Sequence, residues 1–302
     1  MRVLKHKLSM GDYIFNSVNY LFMTLFTLSC VIPFYYLFIN TISDNTLVTK
    51  GLITWLPKGI QFENYIQILK IDGLSNSVLV SVGRTVLGTV LTVIGTTFLG
   101  YAFSKSEFWK RKLWYRFVLI TMYFNAGIIP WYINMKNLGL LNNFLAYIIP
   151  GIVAPFSLIL FKTYVESIPA SLEESADLDG AGYITKYVRL IMPLSKPIVA
   201  TLAVFSAVGQ WNSFTDTLFL MTDSKYFSLQ YMLYQYLNES NALADSLRQA
   251  AANGSQVNLA TVLTPTGVKM TISMVVVIPI LCVYPFLQKY FVNGIMIGAV
   301  KG

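Results

Sequence analysis

The chain has 302 residues, of which 55% are hydrophobic and only 12% are charged, and its mean hydropathy is +0.58. This balance is too apolar for a soluble domain of this size, so it predicts a helical bundle in a membrane. The formal net charge of +8 comes from short basic clusters between apolar runs, which indicates membrane orientation rather than nucleic-acid binding.

Six apolar runs are long enough to predict membrane-spanning helices of about 20 residues each. They cover residues 13–39, 76–103, 113–134, 141–165, 198–221 and 269–291. We expect one transmembrane domain over residues 1–302 with an all-α fold. Cys30 and Cys282 lie within apolar runs, where a free thiol behaves as a small hydrophobe, so no disulfide is expected.

The basic residues predict the orientation of the chain. If the N-terminus is inside, the cytoplasmic segments hold about twice as many lysines and arginines as the outer segments, which favours cytoplasmic N- and C-termini. The first run also resembles a signal peptide, but it is about twice as long as an h-region and lacks a clear cleavage site. We interpret it as a retained helix. Two long outer segments, 40–75 and 222–268, and one long inner segment, 166–197, remain.

The inner segment carries signals for two short helices. Ser171 and Glu174 fit a capping box, so a helix is expected to begin at Ser171. Gly180 suits a left-handed stop, and a second short helix is expected from about Tyr183 until Pro193. Taken alone, this segment could be an amphipathic hairpin at the membrane surface.

The sequence EESADLDGAGYITKYVRLIMPLSKP at 173–197 resembles the EAA loop of ABC import permeases. The family's Glu-Ala-Ala, glycine, apolar and proline positions fall on Glu174, Ser175, Ala176, Gly180, Ile191 and Pro193. Ser175 replaces the first alanine and Met192 replaces a leucine, and both keep the size class. The segments 121–140 and 284–302 and the region of Gln210 are similar to carbohydrate permeases of the maltose-permease-like, poly- and oligosaccharide branch.

This resemblance implies the type I ABC importer permease fold with six transmembrane helices, in a bacterial cytoplasmic membrane. The implied function is that of a permease subunit importing an oligosaccharide or polysaccharide fragment. Its implied partners are a homologous second permease, two ATPase subunits and an extracytoplasmic sugar-binding protein. The chain has no Gly-rich loop ending in Gly-Lys-Ser/Thr, so it is expected to bind no cofactor, and the partner ATPases would use ATP and Mg²⁺.

The resemblance also implies roles for particular residues. Those expected to couple to the ATPase are Glu173, Glu174, Ser175, Ala176, Asp177, Gly180 and Pro193. The C-terminal tail 292–302 is expected to reach the ATPase dimer interface, with Gly298 and Lys301 as contacts.

Polar residues recur at helical spacing in the fifth run and form a candidate substrate path. The stripe and its neighbours are Ser206, Gln210, Trp211, Asn212, Ser213 and Asp216. In lipid such a stripe faces protein or water, so it indicates either helix packing or a lining for a sugar. In the third run we favour Asn125 over Trp131, since tryptophan there is typical of an interfacial belt. Asp216 is expected to form a salt bridge or to contact substrate, and Arg84 to snorkel outward.

The remaining function classes have weaker support in the residues. No catalytic or metal site is expected, because His6 is the only histidine and no carboxylate pair lies in the middle of a run. An ABC permease for a non-sugar solute is one alternative. A stand-alone secondary transporter is another, although neither an internal repeat nor a mid-span coupling residue is evident.

Overall fold

The computed structural model describes residues 9–239, 267 and 269–282, and the regular structure in these residues is helical, with no strand. The expected all-α fold is therefore confirmed. The described residues divide into two compact units. One holds the residues up to Lys70 with Glu239, Gly267 and 269–275, and the other holds 71–238 with 276–282.

The first unit is built around one long helix, α1 (Met10–Thr41), which matches the run predicted at 13–39. Its N-terminus has a capping box: the Ser9 hydroxyl accepts a bond from the Asp12 N–H, and Asp12 accepts one from the Ser9 N–H. The helices α2 (Asn45–Thr49) and α3 (Glu63–Leu69) follow. Apolar side chains are exposed along almost the whole of α1, as expected of a helix that is surrounded by lipid or packs against a partner helix.

The second unit is organised by α4 (Leu74–Ser104), which matches the run predicted at 76–103. It packs against α7 (Pro155–Glu166) and α11 (Lys196–Asn212). Small residues allow this approach: a Cβ at Gly100 would lie 3.0 Å from the ring of Phe161. Close backbone approach at small residues is the usual way in which helices associate in lipid, where the hydrophobic effect does not drive them together.

Three of the predicted runs are broken into shorter helices. The run 113–134 becomes α5 (Arg111–Tyr123) and α6 (Ile128–Asn137), separated at Gly127, whose φ is +86°. The run 141–165 begins with two 3₁₀ turns, Phe144–Tyr147 and Ile149–Gly151, before α7. Within the run 198–221, α11 ends at Asn212 and a further helix, α12, follows.

The remaining elements are short. They are α8 (Ala170–Leu178), α9 (Tyr183–Lys186), a π-turn (Tyr187–Ile191), α10 (Met192–Leu194), α12 (Thr215–Leu220), a 3₁₀ turn (Ser224–Tyr226), α13 (229–239) and α14 (Lys269–Cys282). Of the predicted run 269–291, the part after Cys282 lies outside the described residues.

Two of the described helices, α1 and α4, are long and apolar enough to cross a membrane by themselves. Two bent pairs raise this number to four if each pair forms one span: Phe144–Gly151 with α7 at 42°, and Tyr183–Leu194 with α11 at 84°. The six-span count and the single domain over 1–302 therefore remain predictions.

Gly95 is expected to be essential for the packing of α4. A Cβ there would lie 2.7 Å from both the Cγ2 atom and the carbonyl oxygen of Ile152, and a backbone oxygen cannot rotate away. Gly95→Ala should therefore destabilise the chain by about 1–3 kcal/mol, as overpacking does. The matched control is Gly209→Ala in α11, where a Cβ meets nothing within 4 Å. Thermal unfolding in detergent should show a lower midpoint for Gly95→Ala alone, and equal midpoints would contradict the packing argument.

Candidate functional site

A cavity of about 400 Å³ lies within the second unit, bordered by α4, α11, α12, α6 and the segment 146–157. Its lining mixes hydroxyl and amide groups with aromatic rings. The polar neutral lining residues are Thr92, Ser157, Ser206, Gln210 and Ser213, and the aromatic ones are Trp131, Tyr147 and Phe205. This size and this mixture are typical of a site that binds a small organic ligand.

One charged pair is buried in the wall of the cavity. Arg84 of α4 donates from Nη1 to Asp216 Oδ1 at 3.0 Å and from Nη2 to Asp216 Oδ2 at 2.5 Å. The Arg84 side chain is 2% exposed and that of Asp216 is 17% exposed. The expectation that Arg84 snorkels outward is therefore wrong. Asp216, in the first turn of α12, neutralises the guanidinium inside the protein, so the side chain need not reach water.

Gln210 joins this pair to the neighbouring segment. Its Oε1 accepts bonds from Arg84 Nε and Nη2, at 3.2 and 3.1 Å, and its Nε2 donates to the Tyr147 carbonyl oxygen at 3.1 Å. The Tyr147 ring lies 4.2 Å from the Arg84 guanidinium carbon. Gly88 makes room for Gln210, since a Cβ at position 88 would lie 2.6 Å from Nε2. The amide is thus held in one orientation by α4 and by the 3₁₀ turn Phe144–Tyr147.

The structure brings together four members of the predicted stripe and leaves out two. Ser206, Gln210, Ser213 and Asp216 line the cavity. Trp211 instead donates from Nε1 to the Val276 carbonyl oxygen at 3.1 Å, and Asn212 is exposed at the end of α11, outside the lining.

The preference for Asn125 over Trp131 is not reflected in the cavity. Trp131 is half-buried and lines the cavity, whereas Asn125 is exposed and accepts a bond from the Gly127 N–H at 2.9 Å. The asparagine holds the turn between α5 and α6, and this turn directs α6 and its tryptophan. Sequence reasoning also missed Tyr147 and Ser157 in the lining, because single hydroxyls within the apolar run 141–165 give no periodic signal.

The inner segment has the expected helix, glycine turn and helix, but its first helix begins differently. The N-cap of α8 is Pro169, with no side-chain cap bond, so the predicted capping box at Ser171 is wrong. Ser171 lies inside the first turn, and its carbonyl accepts a bond from the Ser175 hydroxyl at 2.8 Å. Gly180 has φ of +75°, as predicted for the stop, and Pro193 lies in α10.

Two carboxylates of α8, those of Glu173 and Asp177, form ion pairs with lysines of the same chain. Lys105, just after α4, contacts both oxygens of Glu173, and its ammonium lies 4.5 Å from the ring centre of Tyr101. Lys186 donates to Asp177 Oδ1 at 2.6 Å, and this hydrogen bond raises the pKa of Lys186 above its usual value. By contrast, Glu174 and Ser175 are exposed, and Ala176 is half-buried.

α8 also presents an apolar side chain that the sequence pattern did not single out. Leu178 at its C-terminal end is 91% exposed. The tail residues Gly298 and Lys301 lie outside the described residues, so their expected contact stays a prediction.

Comparison with known proteins gives matches along nearly the whole chain. The family described as "binding-protein-dependent transport system inner membrane component" matches residues 96–297. The chain is 32% identical, over 97% of its length and 100% of the relative's, to the polygalacturonan/rhamnogalacturonan transport system permease protein YtcP of Bacillus subtilis (strain 168). It is 35% identical to Protein LplC of the same organism, over 96% of this chain and 95% of that protein.

A solved structure is similar to this chain over nearly its full length. It is a bacterial ABC transporter involved in the import of the acidic polysaccharide alginate. One of its chains matches with a TM-score of 0.82 and 31% identity, covering 95% of this chain and 100% of that chain.

The contact between Lys105 and Glu173 is expected to hold α8 against the end of α4. Lys105→Glu or Glu173→Lys would place like charges together in a site where both side chains are less than one-fifth exposed, so each should destabilise the chain by roughly 1–3 kcal/mol. The double exchange Lys105→Glu with Glu173→Lys restores an opposite-charge pair and should recover most of the loss. Thermal unfolding of the four proteins measures this coupling. Additive losses in the double variant would show that the contact contributes nothing.

Proposed function

Since the chain belongs to the binding-protein-dependent transport system inner membrane component family, we propose that it is a permease subunit of an ATP-driven importer for an oligosaccharide or polysaccharide fragment. The observation that carries this proposal is the similarity, over almost the full length, to permeases of saccharide import systems and to a polysaccharide importer of known structure. Its role is in transport, and the chain is not an enzyme.

The cavity supplies the chemistry that a saccharide path needs. Sugar hydroxyls both donate and accept hydrogen bonds, and Ser157, Ser206 and Ser213 offer groups that do the same. The flat apolar faces of sugar rings pack well on aromatic side chains such as Trp131. We assign the cavity wall to one half of the translocation path, and the other half to a homologous second permease.

Energy for transport comes from two ATPase subunits, which use ATP and Mg²⁺, while an extracytoplasmic binding protein delivers the sugar. The chain lies in a bacterial cytoplasmic membrane with both termini in the cytoplasm, in line with its basic residues. This orientation puts α8 on the side where ATP is available.

Within α8, the proposed ATPase contact lies on the residues that this chain leaves exposed. Glu173 and Asp177 are already held by Lys105 and Lys186, so they fix the helix in place. Glu174 offers a charge-assisted contact, and Leu178 offers an apolar one. Gly180 sets the angle between this helix and the next segment through its positive φ.

The path is tested by Ser206→Leu, which removes a lining hydroxyl and adds apolar volume to the cavity. With the chain assembled with the second permease, the ATPase subunits and the binding protein in vesicles, uptake of the saccharide should fall several-fold, since a lost hydrogen bond is worth about 1 kcal/mol and the cavity is narrower. The matched control is Val208→Leu, which faces the apolar side of α11 away from this cavity and should transport normally. Equal uptake by both variants would count against the assignment of the cavity.

The coupling role is tested by a cross-link. In a chain with Cys30 and Cys282 replaced by serine, Ser175→Cys should form a disulfide or a bifunctional cross-link with a cysteine in the ATPase cleft. Glu174→Lys should lower assembly or separate ATP hydrolysis from uptake. Glu107→Lys, an exposed carboxylate outside α8, is the control and should behave normally. A fully assembled complex that gave no cross-link and transported normally with Glu174→Lys would show that α8 is an ordinary interfacial helix.

A further inference from the structure

The charges at the cavity wall are confined to one pair. Of the residues that line the cavity, Arg84 and Asp216 are the charged ones, and the others are neutral. A ligand with carboxylates would need a cation with hydrogen-bond donors to spare, so the state of Arg84 decides which ligands this wall can bind.

All five N–H groups of the Arg84 guanidinium are already directed at acceptors of this chain. Nε and one Nη2 proton go to Gln210 Oε1, and the other Nη2 proton goes to Asp216 Oδ2. The Nη1 group donates to Asp216 Oδ1 at 3.0 Å and to the Ser213 carbonyl oxygen at 3.3 Å. The Tyr147 ring covers one face of the guanidinium, and the side chain is 2% exposed. Arg84 has no donor left for an incoming carboxylate.

Asp216 is the member of the pair that a ligand meets. Both residues line the cavity, but the Asp216 side chain is 17% exposed, whereas the Arg84 side chain is 2% exposed. An approaching carboxylate would face a like charge first, while a hydroxyl could donate a hydrogen bond to it. The neutral groups around the pair, such as Ser206 and Trp131, suit hydroxyls and ring faces.

We propose that the saccharide units that cross this wall are uncharged. The Arg84–Asp216 pair sets this preference, because all the hydrogen-bond donors of Arg84 are used within the chain and the carboxylate of Asp216 faces the ligand. The inference rests on the proposed function and specifies its substrate class. The solved relative imports an acidic polysaccharide and YtcP is named for polygalacturonan and rhamnogalacturonan, whereas another relative, 30% identical over 67% of this chain, is named for the neutral maltodextrin. Membership of the family therefore does not fix the charge of the sugar, and the preference proposed here comes from the wall that this chain contributes.

The test compares an acid with its ester, which share one skeleton and differ in charge, and adds a neutral trisaccharide of another skeleton. The assembled permease and ATPase complex is titrated calorimetrically with trigalacturonate, with its fully methyl-esterified form and with the neutral trisaccharide maltotriose. A neutral ligand should bind about tenfold or more tightly than trigalacturonate, because a like charge within several ångströms acts on the acid alone. Asp216→Asn removes that charge and leaves Arg84 unneutralised, so the preference for the ester over the acid should fall by about tenfold.

Two further variants show that charge is the cause. Arg84→Gln combined with Asp216→Asn removes both charges, so its ratio of ester to acid binding should lie between those of the unmodified complex and of Asp216→Asn. Asp223→Asn removes a carboxylate that pairs with Lys225 outside the cavity lining, and it should leave the ratio unchanged. Size-exclusion chromatography of each complex checks that it has assembled. The comparison of acid with ester binding in the unmodified complex tests the proposal without any variant.

The outcomes separate the two proposals. Tighter binding of trigalacturonate than of its ester by the unmodified complex, or an unchanged ratio in an assembled Asp216→Asn complex, overturns the inference and leaves the saccharide function standing. If none of the saccharides binds or is transported with the binding protein present, the proposed function itself fails, and the inference fails with it.

Discussion

The second unit depends on the burial of a single guanidinium. An isolated charge at 2% exposure would be very costly in a low-dielectric surrounding, so Arg84 can occupy its position only while Asp216 and Gln210 stay in contact with it. These contacts link the first half of α4 to the end of α11 and the start of α12. The break between α11 and α12 is part of the same arrangement, since the Ser213 carbonyl oxygen released there accepts a bond from Arg84.

Close packing around α4 makes this arrangement possible. In lipid the apolar faces of helices gain nothing from leaving water, so shape and hydrogen bonds must hold them together. Gly88 lets Gln210 approach, and Gly95 lets α4 meet the backbone at Ile152. The cavity lies beside these contacts, and two of its polar lining groups are held by neighbours: Gln210 by Arg84 and the Tyr147 carbonyl oxygen, and Thr92 by the Gly151 carbonyl oxygen.

The same helix relates the cavity to α8. Arg84 lies in the first half of α4 and Lys105 directly follows its end, so the two ion pairs are separated by roughly 30 Å at 1.5 Å per residue. A continuous helix changes its length little, so a displacement of α8 through Glu173 would act on the cavity wall through α4.

The sequence by itself determined the features that depend on local composition and period. Long apolar runs defined α1 and α4, Gly180 defined a left-handed stop, and helical spacing selected Ser206, Gln210, Ser213 and Asp216 as one face. The motif at 173–197 indicated the family. Span number and orientation rest on the sequence alone, as does the contact of the tail.

Only the tertiary structure decided which residues meet. The partner of Arg84 is more than one hundred residues away in the chain, and no local pattern links the two. The same holds for Trp211, which bonds to Val276, and for Trp131, which the turn at Asn125 and Gly127 directs to the cavity. Even the N-cap of α8, Pro169, differs from the residue that the local capping signal selected. Periodicity specifies the face on which a side chain lies, whereas its partner depends on the packing of distant segments, and that packing is a property of the whole fold.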